Sequence, residues 1–352
     1  MDNSLTMSLA ILGGTVLAAF VAHSAWTSRK LAKLQPKRAG LEPLGDEPDL
    51  SMADTIPTEL NGEDTQPGHV PPLPLPKRGG AKLDALIDAI ATINIESPLS
   101  GDMILAHLPS TRRAGSKPLL VEGLRTDCGE WEFPQAGVTY SELQAGVLLA
   151  NRTGALNEIE YSEFVQKIQT MADSLGGAVV FPDMLDVVAH AKELDNFACA
   201  HDAQLALRLY ARGSAWSVGY VQQQGTRHGF VPGSLPGRLV MPSAEEGAPP
   251  VLTLHFDAQA AFADDPDQST LRELVLAFDV PQTAVAQSPF QAWCAAGEAL
   301  SLGLDATMAD DQGNPFTAAA FASIEGELTR LYEALAARDL AAGSPATRRL
   351  FS

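Results

Sequence analysis

The side chains that could do chemistry are scattered along this sequence and form no recognisable catalytic motif. There is no GxGxxG or Walker loop for phosphates, no GxSxG turn, no HExxH helix and no paired-cysteine motif. His190 has acidic neighbours on a predicted helix, His201 and Asp202 are typical of a cap or turn, and His228 and His255 are isolated. We therefore expect solvated or structural roles for these groups, no enzyme activity and no cofactor.

Metal ions and disulfides are not indicated either. The acidic loops ADDPDQ at 263–268 and ADDQGN at 309–314 hold carboxylates but lack the ligand spacing of a calcium loop, so we expect solvated turns. The three cysteines, Cys128, Cys199 and Cys294, are odd in number and far apart. This pattern favours reduced thiols in a cytoplasmic environment.

Composition and charge narrow the class of partner. Of the 352 residues, 45% are hydrophobic, which is ordinary for a globular chain with a buried core. The formal net charge is −19. Because binding to phosphate backbones needs a basic surface, this charge argues against nucleic acid as a partner.

Residues 5–26, LTMSLAILGGTVLAAFVAHSAW, are predicted to form a transmembrane helix. A helix of this length reaches about 33 Å, enough to cross a bilayer core of about 30 Å. A cleaved signal peptide would have basic residues before the apolar run and small residues at a cleavage site, and neither is present. A buried globular helix is seldom uncharged over such a length.

The basic residues follow the apolar run, whereas the head at 1–4 has none. By the positive-inside rule, the head lies outside the membrane, on the periplasmic side if the membrane is a bacterial inner membrane, and the bulk of the chain is cytoplasmic. We expect anionic membrane lipids to contact the interface residues next to the run. These predicted interface residues are Trp26, Arg29, Lys30 and Lys33.

A linker is predicted at 27–82, with a basic juxtamembrane part followed by an acidic, proline-rich part without aromatic residues after about residue 39. Such a composition buries too little apolar surface to fold, so the linker is predicted to be disordered. Its PPLPLP run at 71–76 is interpreted as a stiff spacer, with a ligand for a proline-recognition domain as the alternative.

The rest of the chain is predicted to be α+β, with helices on one face of an open antiparallel sheet. A strand, a long helix and SLGG occur in 142–197, and a strand, a helix and SLGL recur in 271–337, which indicates one unit used twice. The last helix is predicted to be capped by Asn314 with Pro315 at its first position. Two modules are therefore expected at 83–200 and 201–343, followed by a tail at 344–352, with one fused domain as the alternative.

The segment VAHSAWTSRK at 21–30, between the apolar run and the basic residues, resembles the membrane segment of the ZipA family. In the folded part, RELVLAFDVP, ALSLGLDATMADDQGNPFT and the final helix resemble the second half of that family's FtsZ-binding domain. The stretch from GVLLANRTG to MADSLGGAVVF resembles the same region again. The resemblance implies a protein that ties the tubulin-like GTPase FtsZ to the inner membrane at the division site.

The resemblance also implies a split β-α-β domain whose solvent-side sheet face binds the C-terminal tail of FtsZ through apolar contacts. Carried over to this chain, the peptide-binding residues are Arg208, Tyr210, Val240, His255, Val275 and Ala277.

The sequence departs from the family in two ways. Where the family presents an aromatic ring, this chain has Ala277, and Ala150 is taken as its counterpart in the first module. The chain also has two modules instead of one. The groove could accordingly lie in the other module or between the modules, or it could bind a shifted tail, and an ordinary solvated sheet face is the plain alternative. The rival functions are a membrane-tethered scaffold for another partner and an enzyme acting on envelope precursors.

Overall fold

The computed structural model describes residues 82–261 and 270–352. This part of the chain is α+β, with antiparallel sheets and helices, as predicted. The predicted transmembrane segment at 5–26, the linker up to residue 81 and its PPLPLP run lie outside the described residues.

The first module is built on a seven-stranded sheet with central order β3-β4-β6-β1-β9, and β2 and β5 add short pairings to β6 and β4. Its strands are β1 (Asp88–Ile95), β2 (Leu99–Ser100), β3 (Arg113–Ala114), β4 (Lys117–Arg125), β5 (Trp131–Glu132), β6 (Thr139–Leu148) and β9 (Gly177–Val180). A separate hairpin joins β7 (Ala150–Asn151) to β8 (Gly154–Ala155). The helices are α1 (Gly101–His107), α2 (Glu158–Leu175) and α3 (Met184–His201).

Helix α2 confirms the clearest pattern in the sequence. Asn157 caps its first turn, and the Glu160 carboxylate reaches back to the Asn157 backbone N–H, which completes a capping box. The helix ends at Gly176, whose φ of 68° is one that glycine adopts without strain. Its buried stripe packs on the first sheet because residues at this spacing share one helix face. The stripe contains Tyr161, Phe164, Ile168, Met171, Ala172 and Leu175.

The second module is built on a six-stranded antiparallel sheet. In spatial order its strands are β12 (Val231–Pro232), β13 (Arg238–Met241), β14 (Leu252–His255), β16 (Glu273–Asp279), β10 (Gln204–Ala211) and β17 (Ala306–Ala309). A small separate pairing joins β11 (Trp216–Ser217) to β15 (Thr270–Leu271). The helices are α4 (Val218–Arg227), α5 (Ala258–Ala261), α6 (Pro289–Gly303) and α7 (Ala318–Ala336), with a 3₁₀ turn over Val285–Gln287.

The predicted start of the last long helix is wrong. Helix α7 begins at Ala318, and the Thr317 side chain accepts a hydrogen bond from the Ala320 N–H as its cap. Asn314 is held in the preceding loop by Asp310, and Pro315 forms a β-bridge with Ala309. The boundary was misplaced because Asn-Pro also suits a helix start, and because β17, which Pro315 joins, was not predicted.

The two sheets share one strand topology. In each module the first long strand, β1 or β10, lies between the strand that precedes the long helix and the strand that follows it. The spatial orders β4-β6-β1-β9 and β14-β16-β10-β17 therefore correspond strand for strand. Each sheet also has its own buried core.

The predicted tail at 344–352 contains helix α8 (Pro345–Leu350), which packs into the first module. Leu350 and Phe351 belong to the first core although they follow the second module in sequence. Arg349 forms a two-pronged ion pair with Asp88 at the start of β1, with N–O distances of 2.5 and 2.7 Å. The Phe351 carbonyl accepts a hydrogen bond from Gln282 of the second module at 2.6 Å. The chain end therefore links both modules.

The ion pair between Arg349 and Asp88 yields a stability prediction. The Asp88 side chain is 0% exposed and that of Arg349 is 12% exposed. Burial raises the Asp88 pKa above its ordinary value, against the lowering effect of Arg349. Arg349→Ala leaves this carboxyl buried without its partner and should lower the free energy of unfolding by about 3–5 kcal/mol.

Urea unfolding followed by the fluorescence of the buried Trp293 measures this loss. Arg330→Ala is the matched control, because Arg330 pairs with Glu327 on the exposed face of α7. The control should change the free energy of unfolding by about 0.5 kcal/mol or less. Equal effects of the two variants would contradict the role assigned to Arg349.

Candidate functional site

The side chains of the second sheet divide into two faces because successive residues of a strand point to opposite sides. One face is covered by α4, α6 and α7 and carries the large buried residues of the second core. It includes Leu207, Leu209, Leu254, Leu274 and Leu276. The other face, which we call the helix-free face, carries the residues between them.

All six residues carried over from the ZipA resemblance lie on the helix-free face. Their neighbours follow from the strand register, in which directly paired residues share a face. Val275 of β16 pairs with Arg208 of β10 on one side and with His255 of β14 on the other. The next row contains Ala206, Ala277, Thr253 and Val240. Tyr210 pairs with Glu273 at the far end of β10.

The centre of this face is made of small side chains and is mostly apolar. Ala277 is 2% exposed, and its paired neighbours Ala206 and Thr253 are also small. Val275 and Val240 are half-buried and flank this centre. Ala277 is therefore already covered by neighbouring groups, and the half-buried Val275 and Val240 are the apolar side chains that a ligand could reach on this face.

Charged groups border the apolar centre. Arg208 forms an ion pair with Glu273 across β10 and β16. Arg238 pairs in register with His255 across β13 and β14. The helix-free face therefore combines a small-residue centre with positive side chains at its border.

His255 is the titratable group at the centre of this face. Burial, with a smaller contribution from Arg238, lowers its pKa to about 4, so the ring is neutral near pH 7. Its Nε2 lies 2.8 Å from the Thr253 hydroxyl, which itself donates to the Ala277 carbonyl at 3.3 Å. The hydroxyl proton is thus used, and we assign the Nε2–H as donor to Thr253. This assignment leaves Nδ1 as a hydrogen-bond acceptor.

The expected counterpart of Ala277 in the first module is wrong. Ala150 lies beyond the end of β6, in the hairpin strand β7, and is 0% exposed. Gly146 of β6 occupies the position that Ala277 has in β16, because it pairs with Ile90 on one side and Leu120 on the other. The motif GVLLAN reads as one continuous strand in the sequence, but β6 ends within it at Leu148, so the counterpart of Ala277 was placed too late in the chain.

Sequence reasoning did not single out Ala206, Thr253, Arg238 and Glu273, which share the helix-free face. Their alternation with the buried leucines was the signal that could have identified them.

A second apolar depression lies in the first module, at the edge of β4. It has a volume of about 80 Å³ and is lined by residues that include Leu105, Leu108, Leu120 and Phe133. Between its pairings with β3 and β5, β4 has no described strand on this side. The depression holds at most a side chain or two, far less than the groove that a drug-sized ligand needs.

One cluster combines a serine with a buried lysine. The Lys117 ammonium donates to the Ser116 hydroxyl at 2.8 Å and to Asn151 at 3.0 Å, and burial lowers its pKa. The Ser116 hydroxyl donates to the Glu160 carboxylate at 2.7 Å, which ties the cluster to the start of α2. Since Lys117 is 1% exposed, we interpret this cluster as structural.

The other predicted groups take ordinary positions. His190 is exposed on α3, and His201 bonds through Nδ1 to the Phe197 carbonyl one helical turn earlier. Within 82–261 and 270–352, no group of His, Cys, Asp or Glu side chains is arranged to hold a metal ion. The acidic loop at 263–268 falls mostly outside these residues.

The predicted membrane-interface residues Trp26, Arg29, Lys30 and Lys33 precede the part of the chain that the structure describes. Among the described helices, none is both long and apolar enough to cross a bilayer. A comparison with models of known protein families gives no match, and no curated protein matches the chain.

The lowered pKa of His255 predicts a pH-dependent stability. In the unfolded chain a histidine gains a proton near pH 6.5, whereas folded His255 does so near pH 4. Between these values only the unfolded state takes up the proton, so acid favours unfolding. The free energy of unfolding should therefore fall by up to about 3 kcal/mol from pH 6.5 to pH 4 on account of this residue.

Urea unfolding at several pH values, compared between the wild type and His255→Gln, measures this contribution. The variant should have the shallower pH dependence between pH 6.5 and pH 4, and the two curves should run parallel above pH 6.5. Parallel curves throughout would contradict the neutral, buried state of His255.

Proposed function

We propose that this chain is a single-pass inner-membrane protein of bacterial cell division. In this proposal it tethers and stabilises FtsZ filaments at the division site by binding the C-terminal tail of FtsZ on the helix-free face of the second sheet. One observation carries the proposal: the six residues that the family resemblance assigns to peptide binding all lie on this face, although they come from four strands.

The chemistry of the face supports a peptide ligand. The half-buried side chains of Val275 and Val240 offer an apolar surface on this face. A peptide laid on such a surface would bury its apolar residues against these side chains, which is favourable by about 25 cal/mol per Å² of apolar area removed from water. The acceptor nitrogen of His255 would receive a backbone N–H from the same ligand.

The predicted anchor and linker supply the second half of the function. A coil of about 50 residues has a root-mean-square reach of roughly 40 Å, so the folded modules would stay within a short distance of the membrane. Confinement of this kind raises the effective concentration of a binding site for a filament at the membrane. A filament offers many tails, and a modest affinity for each would suffice for attachment.

The peptide site is tested with a charge placed at its centre. Val275→Lys sets an ammonium group between Arg208 and His255, where a bound apolar side chain would have to desolvate it. We expect the dissociation constant for a synthetic peptide of the FtsZ C-terminal tail to rise at least tenfold, which corresponds to about 1.4 kcal/mol.

Isothermal titration calorimetry or fluorescence anisotropy measures the binding. Leu302→Lys is the matched control, because Leu302 is 87% exposed at the end of α6, on the helix-covered side of the same module. An affinity for the tail peptide that is the same in Val275→Lys as in the wild type would refute the proposed face.

The anchor is tested by deletion of residues 5–26. The full chain should sediment with membranes, while the deleted form should remain in the supernatant and should still bind the tail peptide in solution. A fluorescent fusion of the full chain should form a ring at midcell only in cells that contain FtsZ. A full chain that stays in the supernatant without detergent would contradict the proposed anchor.

A further inference from the structure

The corresponding topology of the two sheets allows their helix-free faces to be compared residue by residue. In the first sheet Thr92 pairs with Val180, the last residue of β9, and in the second Arg208 pairs with Ala309, the last residue of β17. Two residues earlier on the same strands, Ile90 pairs with Gly146 and Ala206 pairs with Ala277.

The neighbouring positions follow from the same register. Gly146 corresponds to Ala277, and Gln144 to Val275. On the next strand, Glu122 pairs with Gln144 as His255 pairs with Val275. The position of the hydrogen-bonding His255 in the second module is therefore held by Glu122 in the first.

In the first module, the space over Gly146 and beside Glu122 is occupied by a preceding segment of the same chain. The side chain of Leu83 lies directly over Gly146, so closely that a Cβ added to Gly146 would come within 2.3 Å of the Leu83 Cδ2. The backbone N–H of Leu83 donates to the Glu122 carboxylate at 2.9 Å. The other carboxylate oxygen accepts a hydrogen bond from Gln144 at 2.9 Å, and Glu122 is 2% exposed.

The segment at 82–87 is fixed at both ends. At its end, Ile87 is fully buried, and its carbonyl accepts a hydrogen bond from the Leu149 N–H at 2.8 Å. At its start, the Lys82 carbonyl accepts a hydrogen bond from Arg349 at 2.9 Å, the same guanidinium that pairs with Asp88. The segment is therefore an ordered part of the first module, held by hydrogen bonds at both ends.

We infer that residues 82–87 are an intramolecular ligand of the helix-free face of the first sheet, and that the chain consequently offers a single peptide site, on the second sheet. The statement about the single site rests on the proposed function, whereas the occupancy of the first face does not. The segment fills the place where an added peptide would have to set an apolar side chain.

The same contact describes how a ligand would sit on the second face. Leu83 combines an apolar side chain over a residue without a large side chain with a backbone N–H directed at an acceptor. Transferred to the second sheet, this geometry directs a peptide N–H toward Nδ1 of His255, beside the half-buried Val275.

Amide hydrogen exchange on the full chain in detergent micelles tests the occupancy without any peptide. In the wild type the amide protons of Leu83 and Leu149 should exchange at least tenfold more slowly than in Leu83→Ser, because the seated segment keeps the Leu83 N–H on the Glu122 carboxylate and the Ile87 carbonyl on the Leu149 N–H. Leu86→Ser is the matched control, since Leu86 belongs to the same segment but is 41% exposed, and it should retain the slow exchange. Equally fast exchange in the wild type and in Leu83→Ser would overturn the inference.

Calorimetric titration of the same preparation with the synthetic FtsZ tail peptide tests the single site. The wild type should bind one equivalent of peptide, and Val275→Lys should abolish this binding. Two equivalents, one of which survives Val275→Lys, would show that the first face is open and would overturn the inference. Absence of all binding would refute the proposed function and the single-site statement with it, while the exchange experiment would decide the occupancy of the first face by itself.

Discussion

The alternation of side chains along paired β-strands is the constraint on which the rest of this structure depends. In both sheets one set of alternate residues is large and apolar and is covered by helices, which leaves the other set on a face without helices. The core and the candidate site are thus two consequences of one register. A shift of a single residue in β16 would exchange Leu276 with Ala277 and disrupt both at once.

The internal repeat has produced two faces with different chemistry. The first has Gly146 and Glu122 at the positions where the second has Ala277 and His255. A buried carboxylate needs donors, and the backbone N–H of Leu83 and the amide of Gln144 supply them. A neutral histidine can do without a second partner, and His255 has its one described side-chain hydrogen bond with Thr253. Duplication followed by this divergence would convert one of two equivalent faces into a permanent internal contact.

The two modules are also held together more firmly than a pair joined only by a linker. Arg152 from the β7–β8 hairpin contacts both Asp202 and Asp279 of the second module at 2.6 Å. Helix α8 returns from the second module to complete the core of the first.

The sequence predicted the elements that carry a strong periodic pattern. The long helix within 142–197 and the strand within 271–337 were predicted from the sequence, and α2 and β16 lie at those places. The six candidate residues were assigned through the family resemblance, and the strand register places them on one face. Which residues lie opposite one another could not be predicted, because register depends on the pairing of distant strands.

The predictions that were wrong, and the contacts that were missed, also depend on pairing between distant parts of the chain. Strand β17 has only four residues, and its pairing with β10 is what holds Pro315 out of the last helix. The role of residues 344–352 was invisible because Leu350 and Phe351 are buried by a module more than 150 residues earlier in the chain. The position of Leu83 over Gly146 is another such long-range contact, and its only local trace was a glycine within a strand.

The bond between Arg349 and the Lys82 carbonyl has a mechanical consequence. It joins Lys82, the first residue that the structure describes, to helix α8, so that tension on the preceding chain is delivered at a point braced by that helix. A load applied there would reach Leu83 and the guanidinium of Arg349 before any strand of the second sheet. The load path then continues through Arg152 to Asp279, at the end of β16.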